Sequence, residues 1–200
     1  MVSIAAVKKP GGGTLERIRR AARELFVARG YHETRPQDIA RAAGVANGTF
    51  YLHFADKQQA FLDFAEQAQS ELLALLSARL ANVSGGRARW KGICETLVEF
   101  SASNPGLSQA AFLDPVFIAP NDENAWRMYD RLGHLVSLVF KDEDLPESYN
   151  LELLSHGICG LLGQALIYGA RKDVDRDKMI EELSWFIDRG IGSSPAKEDA

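Results

Sequence analysis

A short stretch of alternating polar and apolar residues offers the clearest functional chemistry in this sequence. Its polar members are Asn47, Thr49, Tyr51 and His53. Phe50 and Phe54 lie four residues apart in the same stretch, so a helix here would bury both rings on one face. The opposite face would then present amide, hydroxyl and imidazole groups to solvent. Such groups hydrogen-bond to base edges and phosphates, and asparagine pairs bidentately with adenine.

The residues before this stretch predict another helix and a tight turn. Ile39, Ala40 and Ala43 form a small apolar patch at helical spacing. Gly44 follows, and a glycine just past a helix end adopts the left-handed conformation without strain. Val45 then restarts the apolar pattern. A helix, a glycine turn and a second helix with a polar outer face are typical of a helix-turn-helix, whose second helix enters the major groove of DNA.

Several spaced motifs between residues 30 and 57 resemble the DNA-binding domain of TetR-family transcriptional regulators. They are Gly30-Tyr31, Asp38-Ile39-Ala40, Ala43-Gly44-Val45, the run from Gly48 to Phe54, and Asp56-Lys57. The resemblance implies that Tyr51, His53 and Lys57 contact phosphates. The rest of the chain resembles the family only in length and helical character. The complete set of predicted DNA contacts is Arg35, Asn47, Thr49, Tyr51, His53 and Lys57.

Two places in this segment depart from the family pattern. Pro36 suits the first position of a helix, which makes Arg35 the capping residue where relatives usually carry Ser or Thr. Arginine cannot cap through a side-chain oxygen, so Arg35 either contacts a phosphate or a guanine edge or is simply exposed. Ala46 and Asn47 stand where the family often has Ser and Arg. The base preference should therefore differ from that of better-known relatives.

The charge distribution favours contact with phosphate at one end of the chain. The formal net charge is −4, which by itself argues against nucleic acid. Residues 1–57 nevertheless carry ten Lys or Arg against five Asp or Glu, whereas the remainder carries 13 against 22. A basic N-terminal region followed by an acidic remainder is typical of a protein that contacts nucleic acid with one part only.

Other classes of protein find no support in the sequence. There is no nucleophile elbow, pair of acids or dinucleotide fingerprint, so we expect no enzymatic activity and no cofactor. Cys94 and Cys159 lie in apolar helical patterns without a Cys/His cluster, which favours two buried thiols over a disulfide or a metal site. No apolar run reaches the length of a membrane span, and the first residues lack a signal pattern. We therefore expect a cytoplasmic protein that does not bind membranes.

Apolar periodicity predicts an all-α protein of about nine helices. Three helices, with Thr14 as the N-cap of the first and Gly30 as its end, would form a helix-turn-helix domain over residues 14–60. A long helix from residue 57 to about 81 would lead into a ligand-binding and dimerisation domain over residues 61–192. Later helices are expected at 88–103, 107–118, 123–140, 151–170 and 175–189, with Gly190 ending the last. Residues 1–13 are predicted to be a flexible basic arm and residues 193–200 a disordered tail.

The resemblance to the TetR family also implies a homodimer that forms through the last two long helices. Three glycines and one aromatic residue in those helices are the predicted interface: Gly157, Gly160, Gly163 and Phe186. Each glycine costs about 1 kcal/mol relative to alanine inside a helix, so close approach of another helix would explain them. Packing within one subunit is the alternative explanation.

The same resemblance implies a ligand cavity among the middle helices. Aromatic residues and one histidine are the predicted lining: Trp90, Phe100, Phe112, Phe117, Trp126, Tyr129 and His134. Pockets are mostly apolar with a few orienting polar groups, for which Tyr129 and His134 are the candidates. A solid core is the alternative for any one of these residues. Asp114, Asp122 and Glu123 lie near the edges of the region, so a cationic ligand remains open.

These features together predict a dimeric repressor that a hydrophobic or aromatic small molecule releases from a palindromic DNA operator. Activation instead of repression remains open. A DNA-binding regulator or architectural protein without an effector is the main alternative, and it predicts weak sequence discrimination with no stabilisation by small molecules.

Overall fold

The computed structural model describes residues 13–113, 123–142, 145 and 149–192. This described part is helical and contains no strand, which confirms the all-α prediction. The chain divides into two compact units, Met1–Phe61 and Leu62–Ala200.

The first unit contains three helices and the start of a fourth. These are α1 (Thr14–Glu33), α2 (Pro36–Ala42), α3 (Asn47–Tyr51) and the first residues of α4 (Lys57–Leu80). The remaining residues of α4 belong to the second unit. The core of the first unit consists of fully buried apolar side chains: Ile18, Phe26, Ile39, Phe50 and Phe61. The rings of Phe26 and Phe61 meet edge to face, with their centroids 5.0 Å apart.

The two ends of α1 differ from the prediction in detail. Gly13 is the N-cap, and no side-chain oxygen caps the helix, so the predicted N-cap at Thr14 is wrong. Gly30 was expected to end the helix, and its φ of 75° does interrupt the helical backbone, although one further turn continues to Glu33. The buried Thr34 hydroxyl donates to the Gly30 carbonyl at 2.8 Å, which fixes the chain reversal before α2.

The turn between α2 and α3 has the predicted geometry. Pro36 opens α2, and Arg35 is its N-cap without a capping hydrogen bond from its side chain. Gly44 has a φ of 66°, the left-handed conformation that a residue with a Cβ adopts only under strain. This conformation lets the Val45 N–H donate to the Ala40 carbonyl at 3.0 Å, so the chain turns directly from α2 towards α3.

The second unit contains the rest of α4 and four longer helices. These are α5 (Gly86–Ser103), α6 (Glu123–Ser137), α7 (Leu151–Lys172) and α8 (Arg176–Gly192). A π-helical segment, Gln109–Leu113, follows α5, and a 3₁₀ turn, Val139–Asp142, follows α6. Helix α5 packs mainly on α8, and α6 packs mainly on α7. The core between them is apolar and includes Trp90, Ile93, Cys94, Val98, Phe140, Leu162 and Ile187.

Three expectations about the second unit need correction. Helix α8 continues through Gly190 to Gly192, so Gly190 does not end it. Helix α6 was expected to run to residue 140 but ends at Ser137, and Trp126 in its first turn is 56% exposed. Helix α7 is long and apolar enough, by length and composition alone, to span a membrane, although no such run was expected. A single helix of this kind is weak evidence for a membrane span, because core helices of soluble proteins can be equally long and apolar.

Candidate nucleic-acid interface and ligand cavity

The outer face of α3 presents most of the predicted DNA contacts to solvent. Asn47 and Tyr51 are exposed one helical turn apart, and Thr49 is half-buried between them. On the inner side, the rings of Phe50 and Phe54 are buried, with their centroids 5.7 Å apart, and they pack α3 against the core. The alternation seen in the sequence therefore becomes a helix with one anchored apolar face and one open polar face. Such a face can form hydrogen bonds to base edges in a groove.

Two further predicted contacts lie at the edges of this face. His53, just after α3, is exposed. Arg35, which precedes α2, is also exposed. By contrast, Arg41 near the end of α2 forms an ion pair with Asp38. Arg35 is therefore the better placed of these two guanidinium groups to contact a phosphate or a guanine edge.

The side chain of Lys57, at the start of α4, forms contacts within the first unit. Its Nζ donates to the Tyr31 carbonyl at 2.9 Å and reaches the His32 carbonyl at 3.5 Å. It also lies 4.1 Å from the centroid of the Tyr31 ring. Burial lowers the pKa of the Lys57 ammonium, with Glu33 opposing that shift and Arg35 adding to it. Lys57 thus ties the start of α4 to the end of α1, a structural role beyond the phosphate contact implied by resemblance.

One exposed residue beside α3 was not among the predicted contacts. Leu52, the C-cap of α3, is 82% exposed and follows Tyr51 on the open side of the helix. An apolar side chain in a major groove can contact the methyl group of thymine. The only sequence signal was an apolar residue where many relatives have a polar one.

A cavity of about 580 Å³ lies in the second unit. Its walls come from α4, α5, the π-helical segment, α6 and α7. Most of the lining is aliphatic and includes Leu72, Leu97, Leu132, Leu135, Leu162 and Leu166. Its polar groups come from Ser101, Ser108, Gln109 and Arg171. This size and this mixture of many apolar and few polar groups are typical of small-molecule sites.

The aromatic residues that were predicted to line a cavity are distributed differently. Phe112 does line the cavity. The ring of the buried Phe100 packs against the Phe112 ring, with the two ring centroids 6.2 Å apart. Trp90 is fully buried against Phe140, with their ring centroids 5.6 Å apart. Trp90 is therefore part of the core and not of the lining.

Three other candidates, Trp126, Tyr129 and His134, also lie outside the lining of this cavity. Trp126 is exposed and stands beside the half-buried Tyr129, with ring centroids 6.1 Å apart. His134 is exposed at a smaller pocket of about 330 Å³, together with Asp130 and Arg131. Phe117 lies outside the described residues. The expected aromatic lining is thus corrected to an aliphatic one, built from leucines whose periodicity in the sequence could not be told from that of a core.

A second feature of this unit is an exposed apolar surface on α7 and α8, which we call the α7–α8 face. It comprises Leu153, Gly157, Gly160, Tyr168, Trp185 and Phe186. Phe186 is 60% exposed, and a Cβ added to Gly157 or Gly160 would meet no described atom within 4 Å. Packing within one subunit therefore does not explain these two glycines. Gly163 differs, because it lies in the cavity wall.

Cys159 also lines the cavity, and its surroundings make it a poor nucleophile. Burial raises the pKa of its thiol to about 11, and burial with the charge of Glu95 raises that of Cys94 to about 12. Since only the thiolate reacts, roughly one Cys159 in ten thousand is reactive at pH 7. We expect iodoacetamide to alkylate Cys159 slowly at pH 7 and about tenfold faster per pH unit between pH 8 and 10, as followed by mass spectrometry.

Cys159→Ser is the control for this alkylation experiment. The variant retains Cys94, which is 1% exposed and should stay unlabelled over the same time. A labelling rate at pH 7 close to that of free cysteine would contradict the raised pKa of Cys159.

Similar sequences occur among bacterial transcriptional regulators. Residues 18–63 match the model for bacterial regulatory proteins of the tetR family. The HTH-type transcriptional regulator YvdT of Bacillus subtilis, itself uncharacterised, is 35% identical over 200 residues, which cover 93% of this chain and 99% of that protein. The HTH-type transcriptional activator FasR of Mycolicibacterium smegmatis is 23% identical over 94% of this chain and 92% of its own length.

A similar fold occurs in a solved structure of a TetR-family transcriptional repressor. This is FadR of Thermus thermophilus in complex with lauroyl-CoA, which matches 92% of this chain and 98% of its own with a TM-score of 0.66. The sequence identity is 24%, so the likeness concerns the fold.

Proposed function

The chain belongs to the TetR family of DNA-binding transcriptional regulators, and we propose that it is a dimeric repressor which a hydrophobic small molecule releases from a palindromic operator. The observation that carries this proposal is the aliphatic cavity of about 580 Å³ in the second unit. A cavity of this size weakens a core unless a ligand fills it, because the lining loses packing contacts. A DNA-binding regulator would act in the cytoplasm.

The chemistry of the lining favours an aliphatic ligand over an aromatic one. Leucine and isoleucine side chains from four helices surround the space, and Phe112 is the one aromatic residue among the lining residues described. The fold relative from Thermus thermophilus binds lauroyl-CoA, which is a ligand with a saturated chain. We therefore propose a fatty acyl compound as the effector.

The two relatives named above differ in the direction of regulation. The Thermus thermophilus relative is a repressor, whereas FasR is an activator. Repression relieved by ligand is the proposal here, because it needs only that ligand and operator favour different arrangements of the dimer. Helix α4, which contributes residues to both units, is the proposed carrier of the change. A coupling free energy of about 1–3 kcal/mol would suffice to empty an operator.

The test uses labelled DNA from just upstream of the protein's own gene. Fluorescence anisotropy would follow its release while acyl thioesters, lipophilic acids, flavonoid-like phenols and cationic dyes are added in turn. We expect release by the acyl compounds alone. A Leu166→Trp variant should bind the same DNA but resist release, because the indole fills space that the ligand needs.

Trp126→Ala is the matched control for the blocked cavity. Trp126 is exposed and does not line the cavity, so this variant should respond like the unaltered protein. Thermal melting would verify that both variants are folded. If Trp126→Ala abolished the response and Leu166→Trp did not, the effector site would have to be elsewhere.

A regulator without an effector is the remaining alternative. It predicts tight, specific DNA binding that no compound changes, and no thermal stabilisation by any of them. A salt titration separates the regulator from an architectural protein. Affinity falls steeply with salt for both, but only a specific regulator keeps a large ratio of operator to random DNA affinity.

A further inference from the structure

The cavity lining contains one charged side chain among the residues described, that of Arg171. Arg171 is the second-last residue of α7 and is exposed, although it also lines the cavity. Exposed lining residues mark the place where a cavity meets solvent, and the other exposed lining residues described are Gly106, Gln109 and Ala170. The guanidinium group therefore stands at the mouth of an otherwise aliphatic space.

The side chain of Arg171 forms no hydrogen bond or ion pair with any residue in the described part of the chain. Two other arginines of this unit do form ion pairs. Arg79 contacts Glu95 at 2.7 Å and Glu99 at 2.5 Å, and Arg131 contacts Glu66 at 2.6 Å. No described residue therefore occupies the fork of donors on Arg171, and we take the fork to be available for a bound molecule.

We propose that the cavity binds an aliphatic chain with an anionic head group, and that Arg171 holds the head group at the mouth. This inference rests on the proposed ligand site and adds the charge of the ligand and the residue that recognises it. A guanidinium group pairs bidentately with a carboxylate or a phosphate, whereas an aliphatic wall accepts the chain without further polar contacts. A cationic amphiphile would be repelled at the same place, and a neutral one would gain nothing from it.

A carboxylate and the phosphates of a coenzyme A thioester share this chemistry. The test therefore uses four compounds with one dodecyl chain: laurate, lauroyl-CoA, dodecanol and dodecylamine. Their dissociation constants would be measured by isothermal titration calorimetry, below the concentrations at which they form micelles and without DNA. We expect laurate or lauroyl-CoA, or both, to bind at least about tenfold more tightly than dodecanol, and dodecylamine to bind most weakly.

Arg171→Ala should remove this preference. The affinity for the anionic compounds should fall about tenfold, and that for dodecanol should stay unchanged. Selective weakening of laurate would identify a carboxylate as the head group, and selective weakening of lauroyl-CoA would identify phosphates. Arg171→Glu should reverse the order so that dodecylamine binds most tightly, which a loss of folding could not produce.

Lys172→Ala is the matched control, because Lys172 is the adjacent cation on α7 and does not line the cavity. It should leave all four affinities unchanged. Equal affinities of the four compounds for the unaltered protein and for Arg171→Ala would overturn the role of Arg171 while the ligand site remained. Absence of binding by all four would overturn this inference together with the proposed acyl effector.

Discussion

Replacing both Trp185 and Phe186 by glutamate is expected to convert the protein to monomers and to weaken its binding to a palindromic operator about a hundredfold or more. Both side chains lie on α8 and are 48% and 60% exposed, and Leu153 and Tyr168 on α7 are exposed still further. A subunit interface over this face would bury them, and two unpaired carboxylates cannot be buried there. In a dimer, binding of one helix-turn-helix domain holds the second at a high effective concentration near its half-site. A monomer lacks this second domain, which lowers the affinity by a factor of about 10²–10⁴.

Analytical ultracentrifugation would give the oligomeric state, and anisotropy with full and half operators would give the affinity. The matched control is Leu75→Glu on α4, because Leu75 is 49% exposed but lies outside the α7–α8 face. This control should stay dimeric and bind normally. A Trp185→Glu, Phe186→Glu protein that remained dimeric would show that the subunits meet through another surface.

A substitution at Gly160 provides a second test of whether another subunit packs on the α7–α8 face. In a lone subunit, Gly160→Ala should stabilise α7 by about 1 kcal/mol, since the new methyl group meets nothing within 4 Å. In a dimer with closely packed helices, the methyl group should instead weaken association. The sign of the change in melting temperature therefore tells whether a second subunit approaches this glycine.

The helix-turn-helix could be predicted from the sequence because local chemistry determines it. Pro36 fixes the start of α2, and Gly44 allows the left-handed turn that follows it. Phe50 within α3 and Phe54 just after it are both buried, and they decide which face of α3 turns towards the core. Each of these signals acts within a few residues, so no knowledge of distant contacts is needed.

The lining of the cavity could not be predicted in the same way, because it depends on which helices meet. The periodicity of Leu132, Leu135 and Leu166 indicates a buried helix face, but it does not tell whether that face packs against side chains or encloses a space. Large aromatic residues looked like better candidates for a ligand site. In the structure, Trp90 is buried in the core and Trp126 is exposed at the surface. The size of an aromatic ring therefore does not indicate whether it lines a cavity.

Lys57 shows a similar limit for the predicted DNA contacts. Resemblance assigns it a phosphate contact, yet its donors already serve the carbonyls of Tyr31 and His32. That arrangement depends on a contact across 26 positions in the chain, which no local pattern reveals. A Lys57→Ala variant would therefore lose stability as well as any phosphate contact, and it cannot test DNA recognition cleanly.

Asn47→Ala is expected to relax the base preference of the protein at one operator position, whereas Tyr51→Phe should weaken binding to every sequence alike. Asn47 is exposed at the start of α3, where an amide can pair bidentately with adenine at a gain of about 1–3 kcal/mol over the wrong base. Tyr51 offers one hydroxyl, which suits a phosphate oxygen and carries no sequence information. Phenylalanine keeps the ring that packs on Phe50, with centroids 5.3 Å apart, so folding is retained.

The measurement that separates these two roles is the ratio of operator to random DNA affinity for each variant, across a set of single-base operator changes. For Asn47→Ala the ratio should fall roughly tenfold, and the loss should come from one base pair in each half-site. For Tyr51→Phe the ratio should stay constant while both affinities fall. Arg41→Ala is the matched control, because Arg41 is exposed but paired with Asp38 and should matter little for either quantity. Equal loss of the ratio in the Asn47 and Tyr51 variants would contradict the assignment, and both residues would then have to read bases.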